Sequence, residues 1–119
     1  MIDYVDPIPP VLKFFKTYIP NVPVYGNEIP TGATLPVLMI KNAGGSDYTR
    51  LQLLVRAVSS SQATQALIRA MNMIERYAGN IQGLDVMWCQ HETAPMPDID
   101  DDTGKPESWC YMRLDNCEA

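Results

Sequence analysis

The chain has a single histidine, His91, and three cysteines, Cys89, Cys110 and Cys117, with no CxxC pair among them. An odd, widely spaced set argues against a disulfide framework, which uses even and closely spaced cysteines. Cys89 and Cys110 lie within apolar strand patterns and read as reduced packing residues; Cys117, near the terminus, reads as the exposed exception. Lysine and arginine number 9 against 14 aspartates and glutamates, a formal charge of -5. This balance argues against a grip on nucleic-acid phosphates or an anionic membrane, which needs basic side chains to neutralise the surface charge. No apolar run approaches the roughly 20 residues of a membrane span, and no basic-then-apolar leader opens the chain. The expectation is a soluble protein made in the cytoplasm.

What is present suits one small domain over residues 1–119. A chain of this length buries roughly two-thirds of its unfolded surface, and its 46% apolar content supplies the side chains for a core without staples. Met1 to Pro10 is proline-rich and reads as extended. A short helix follows, with Pro9 or Pro10 in its first turn, where a missing N–H costs nothing. Val11, Leu12, Phe15, Tyr18 and Ile19 form its apolar stripe, and Pro20 ends it. Val22 to Ile29 reads as a short edge strand broken by Pro23 and Gly26, Pro30 to Thr34 as a turn, and Leu35 to Asn42 as a nearly continuous apolar strand. Ala43 to Asp47 is a glycine-bearing loop. From Tyr48 to Val58, Leu51, Leu53, Val55 and Ala57 alternate with Gln52, Leu54 and Arg56, predicting a strand with the first set facing the core.

The clearest element is the next helix. Ser59 with Gln62 is a capping-box pattern. Ala63, Ala66, Leu67, Ala70, Met71, Ile74, Tyr77 and Ala78 then step by three and four along one face. Arg76 suits the negative end of the helix dipole, and Gly79 the left-handed position beyond it. Leu84 to Glu92 and Ser108 to Asn116 read as two final strands around an acidic turn. The predicted class is α+β: a mixed or antiparallel sheet of four to five strands with one long and one short helix packed on it.

Four features of the sequence bear on chemistry. Asp98, Asp100, Asp101 and Asp102 alternate like a calcium loop, but counting from Asp98 the required glycine and glutamate positions hold Thr103 and Trp109. The tip therefore reads as a solvated hairpin end, and no metal or cofactor is expected. Cys89 and His91, two apart on a strand, share a face, yet neither an oriented base nor further metal ligands are legible; a small ligand- or metal-binding α+β domain, catalytic through Cys89, His91 and the acidic turn, is the alternative reading. Gly44-Gly45 opens no helix and is no phosphate cradle. Trp88 and Trp109 share parity with Gln90 and Arg113 rather than with Cys89 and Met112. That puts them on the sheet face away from the long helix, under the first helix or in a subunit contact.

Taken together, Tyr18-Ile-Pro-Asn-Val22, the Pro36-Val-Leu-Met-Ile40 strand before a Gly-Gly loop, and the strand Leu51 to Val58 leading into a Ser/Gln/Ala-rich helix form a pattern. With the Asp-Asp-Thr-Gly-Lys-Pro106 turn before the last strand, the chain resembles the tail-terminator (tail-completion) proteins of long-tailed bacteriophages. The resemblance implies a structural virion protein rather than an enzyme. It would form a homo-oligomeric ring, commonly a hexamer, on the head-proximal end of the tail. Its partners would be the tail tube protein and the head-completion or stopper protein, with no sequence-specific nucleic acid and no membrane. A different phage neck or head-closure protein is the neighbouring alternative. Under this reading Asp100, Asp101 and Asp102 would face the ring lumen or a neighbouring subunit. Gly44, Gly45, Ser46 and Asp47 would form a docking loop, and Trp88 and Trp109 would be contact aromatics.

Overall fold

The computed structural model describes residues 5–45 and 47–116, the last of these for its backbone only. Helix α1 spans Ile8–Tyr18 and helix α2 spans Ser60–Tyr77. The strands are β1 Val24–Gly26, β2 Val37–Gly44, β3 Thr49–Arg56, β4 Val86–His91, β5 Met96–Ile99 and β6 Pro106–Asn116. Among the described residues these six form one sheet in the order β1-β2-β3-β6-β4, with β5 also paired to β6. The pairings are antiparallel except β1 with β2. The α+β class stands, with one strand more than the sequence predicts.

β6 is the axis of the sheet. One side pairs with β3 in unbroken register from Thr49↔Leu114 to Arg56↔Glu107. Its other side takes β4 at the C-terminal end and β5 at the N-terminal end. Strand alternation sends Leu51, Leu53, Val55, Cys110, Met112 and Leu114 to one face, where all are buried.

Both helices lie on that face. Ile8, Val11, Phe14 and Phe15 of α1 join Ala63, Leu67, Ala70, Met71 and Ile74 of α2 in one continuous core with the inward residues of the sheet. At 11 residues α1 is too short to hold alone in water, and most helical stability in proteins comes from tertiary packing, so this shared burial is what fixes both helices. At the start of α2, the Gln62 N–H donates to Ser59 Oγ at 3.1 Å, and Gln62 Oε1 accepts from the Val58 N–H at 3.1 Å. The capping pair is therefore reciprocal, with its second half one residue earlier than the usual box.

Several boundaries differ from the sequence reading. Ile8, Pro9 and Pro10 are helical, not extended: the first turn needs no N–H from proline, and Asp6 Oδ1 accepts the Ile8 N–H at 3.0 Å. Residues 1–4 of the expected extended segment lie outside the described residues. Phe14, off the predicted stripe, is buried: α1 packs along β1, and Phe14 stacks on Tyr18, which stacks in turn on Tyr77 at the end of α2. Gly79 does not take a left-handed conformation; α2 runs into a 3-10 turn, Ala78–Asn80, and Gly83 carries the positive φ of 94°. β1 is only three residues long, and Gly26 lets α1 approach it: a Cβ there would sit 2.7 Å from the Ile8 side chain.

Leu67 is fully buried where α2 meets the sheet. Leu67→Ala is expected to lower the unfolding free energy by about 2–5 kcal/mol, read by urea denaturation. A loss within about 0.5 kcal/mol would show that α2 does not carry the core.

Candidate functional site: the open sheet face

The second sheet face has neither helix on it, because the single core places both helices on the first. By register this face carries Leu54, Trp109, Tyr111, Arg50, Arg113 and Trp88. Trp88 and Trp109 thus lie away from α2, as the sequence parity implies, but α1 does not cover them. Trp88 is 43% exposed.

The aromatics and arginines alternate across the strands. The Arg113 guanidinium lies 4.1 Å from the Tyr48 ring centre and 5.8 Å from that of Trp88. Arg50 lies 5.7 Å from Tyr48 and 5.4 Å from Tyr111, and Tyr111 meets Trp109 edge-on at 5.3 Å. Each arginine contact is a cation over an electron-rich ring face. Carboxylates fix the cations from the side. Arg50 Nε donates to Glu92 Oε1 at 2.8 Å, and Arg113 Nε donates to Asp115 Oδ1 at 3.2 Å. The hydrogen bond from Arg50 holds the Glu92 carboxyl below its ordinary range, and Glu92 raises Arg50 in turn. The sequence reading missed Tyr48, Arg50, Tyr111 and Arg113, since only pairing of β3 with β6 brings them side by side.

At the far end of this face Arg56 gathers two carboxylates. Its Nε donates to Glu107 Oε2 at 2.9 Å and its Nη2 lies 3.3 Å from Asp100 Oδ1. Glu107 is buried, and burial pushes its carboxyl up although the Arg56 hydrogen bond pulls the other way. Asp100 is committed to the hairpin: its Oδ2 accepts from the Thr103 N–H at 2.8 Å and from the Thr103 hydroxyl at 2.6 Å. These bonds hold its carboxyl below the usual carboxylate range. The three aspartates therefore part company. Asp100 is a structural clamp, while Asp101 and Asp102 stand exposed at the tip.

What the sequence read as one long turn contains β5, and the edge this strand presents is closed to further strands. By register, Pro97 and Ile99 point their backbone outward. Proline has no N–H, and Asp98 Oδ1 takes that of Ile99 at 2.8 Å. On β4 the outward N–H of His91 is donated to Glu75 Oε2 at 3.3 Å. Capped donors and proline are how sheets suppress edge-to-edge pairing. Contacts at this edge must run through side chains, and Met87, Met96 and Ile99 are exposed there.

The Gly44-Gly45 loop is shorter than the sequence suggests. β2 continues to Gly44 through a bulge, and both glycines have positive φ, 90° and 103°. At Gly45 a Cβ would collide with the Tyr48 carbonyl, so only glycine fits. Asp47 is exposed; Ser46 lies outside the described residues, as does Cys117.

Cys89 and His91 are not assembled as nucleophile and base. Cys89 is buried, and burial pushes its thiol up to about 12. A thiol so raised is protonated at neutral pH, while the thiolate is the nucleophile. The His91 ring instead places Nδ1 3.1 Å from both carboxylate oxygens of Glu75. Among the described residues no three His, Cys, Asp or Glu side chains converge as metal ligands would, and no helix is long and apolar enough to cross a membrane. The chain matches no protein-family model, and no curated protein is significantly similar to it.

Two tests follow from this geometry. Alkylation of the native protein with iodoacetamide should leave Cys89 and Cys110 unmodified on peptide mapping, with both modified after denaturation. Labelling of Cys89 at the rate of a free cysteine would contradict its burial. A carboxylate with a depressed folded-state pKa adds stability above its ordinary value and loses it as pH falls through the folded one. The melting temperature of Asp100→Asn should therefore lie below wild type at pH 7, and the gap should close as pH is lowered below about 4. A gap independent of pH would show that the Asp100 charge is not what holds the tip.

Proposed function

We propose that this chain is a ring-forming structural subunit of the tail-terminator type, acting by assembly rather than by catalysis. The open sheet face supports this reading above all else. Its tryptophans, tyrosines and arginines, with methionines at the margin, are the residue types enriched at the centres of protein–protein contacts. They are held rigid by the cation–aromatic ladder and its carboxylates, so little side-chain freedom is lost when a partner covers them.

The motif resemblance in the sequence supplies the kind of assembly: a homo-oligomeric ring, six-fold in that family, between a tail tube and the head-completion protein of a virion. In such a ring Trp88 and Trp109 belong to subunit contact, and the Gly44-Gly45 corner with Asp47 to docking on the head side. The buried Cys89 thiol weighs against the catalytic alternative.

Native mass spectrometry with negative-stain imaging tests the reading. The expected result is a closed ring, hexameric by resemblance, that shifts to smaller species in Trp88→Ala while the circular dichroism spectrum is kept. A chain that stays monomeric at about 100 μM, with or without tail tubes added as template, would overturn it.

A further inference from the structure

A ring requires two different surfaces on each subunit, one meeting the other on the next copy. We infer that the β5–β6 hairpin tip of one subunit seats in the groove on the outer side of α2 of its neighbour, with Ile99 as the apolar anchor. This inference rests on the ring reading above.

The groove is a shallow, open one along α2 itself, about 370 Å³ in volume and lined by Gln65, Ile68, Arg69, Asn72, Met73 and Arg76 of that helix. Ile68 is 41% exposed, an apolar residue on the solvent side of a helix whose other face fills the core. No acidic residue lines the groove, and neither Arg69 nor Arg76 has an ion-pair partner among the described residues. They are cations left over from a chain whose Arg50, Arg56 and Arg113 are all paired with carboxylates.

The tip is the complement. Ile99 is 63% exposed. Residues 98–105 hold four aspartates against one lysine, and Asp101 and Asp102 have no partner among the described residues. Since Asp98 caps the Ile99 N–H and Pro97 has none, this segment cannot recruit a partner by strand addition. It offers side chains only: an isoleucine between carboxylates. Ile99 and Ile68 are both exposed, so neither covers the other within one chain. Seating one on the other between copies buries both and brings unpaired aspartates to unpaired arginines. Opposite charge fixes register and partner choice more than affinity, while the apolar pair supplies the area removed from water. A contact between tip and groove is heterologous, so repeated copies either close into a ring or continue as a filament.

The test uses full-length chains carrying Cys117→Ser, with Cys89 and Cys110 left in the core. Ile99→Cys and Ile68→Cys variants are mixed under mild oxidation and the disulfide-linked dimers mapped by mass spectrometry. The mixed 99–68 dimer is expected to exceed either same-site dimer. In parallel, Ile99→Asp should weaken self-association of the otherwise natural chain about tenfold or more. Reversing Arg69 and Arg76 to Glu should weaken it further at low salt than at high salt. Absence of the mixed dimer overturns the contact, and if rings still form the ring reading survives without it. A mixed dimer between the two cysteine variants, together with a wild-type chain that never closes into rings, keeps the contact and removes the ring.

Discussion

β6 carries the structure because its two edges must both be satisfied along eleven residues. β3 fills one edge without a break, while β4 and β5 share the other in succession. Every later feature inherits its alternation. Cys110, Met112 and Leu114 go inward to the helices, and Trp109, Tyr111 and Arg113 go outward. Side-chain period two makes the choice absolute: a slip of one residue would put the tryptophan in the core and the buried methionine in water. The core under α1 and α2 penalises any such slip, so the register and the helix packing support each other.

With both helices on one face, the other face had to be stabilised differently. There the chain uses lateral interactions within the sheet: arginines stacked on tyrosines and on Trp88, each guanidinium also held by a carboxylate. Surface ion pairs of this kind contribute about 0–1 kcal/mol each, so their main effect is on order. The Arg56–Glu107–Asp100 cluster does more, tying β3 to β6 and to the hairpin tip where one carboxylate is buried. The tip is consequently a built projection, closed at 3.0 Å or less by backbone bonds between Asp100 and Lys105 and between Gly104 and Asp100.

Such a molecule has its chemistry on its surface. The Cys89 and Cys110 thiols are sunk in the core, the one histidine pairs with Glu75 near a strand edge, and the outer edge of β5 is capped against strand addition. What is left open is a rigid aromatic face, an acidic tip carrying an isoleucine, and a basic groove on α2. Those three surfaces differ from one another, and the proposed head-to-tail ring would use such unlike surfaces in sequence.

The amino-acid sequence by itself determined the local elements whose signals are periodic. These are α2 with its Ser59 cap, the inward set of β3, and the outward parity of Trp88 and Trp109, because spacing of 3.6 or 2 along the chain maps directly onto one face. It also indicated the β6 strand and the hairpin turn around Gly104. It left β5 unread, since Met96–Ile99 contains a proline and no alternation, and its strand character comes only from pairing with β6. Gly79 misled for the same reason: a glycine after a helix marks a left-handed cap only if the chain turns there, and packing of Ala78 and Ile81 into the core kept it in a 3-10 turn. Tertiary structure alone decided that both helices share one face, that Asp100 serves Arg56 while Asp101 and Asp102 stay free, and that Tyr48, Arg50, Tyr111 and Arg113 form one ladder. Each of those depends on residues dozens of positions apart meeting across strands, a register that no local pattern encodes.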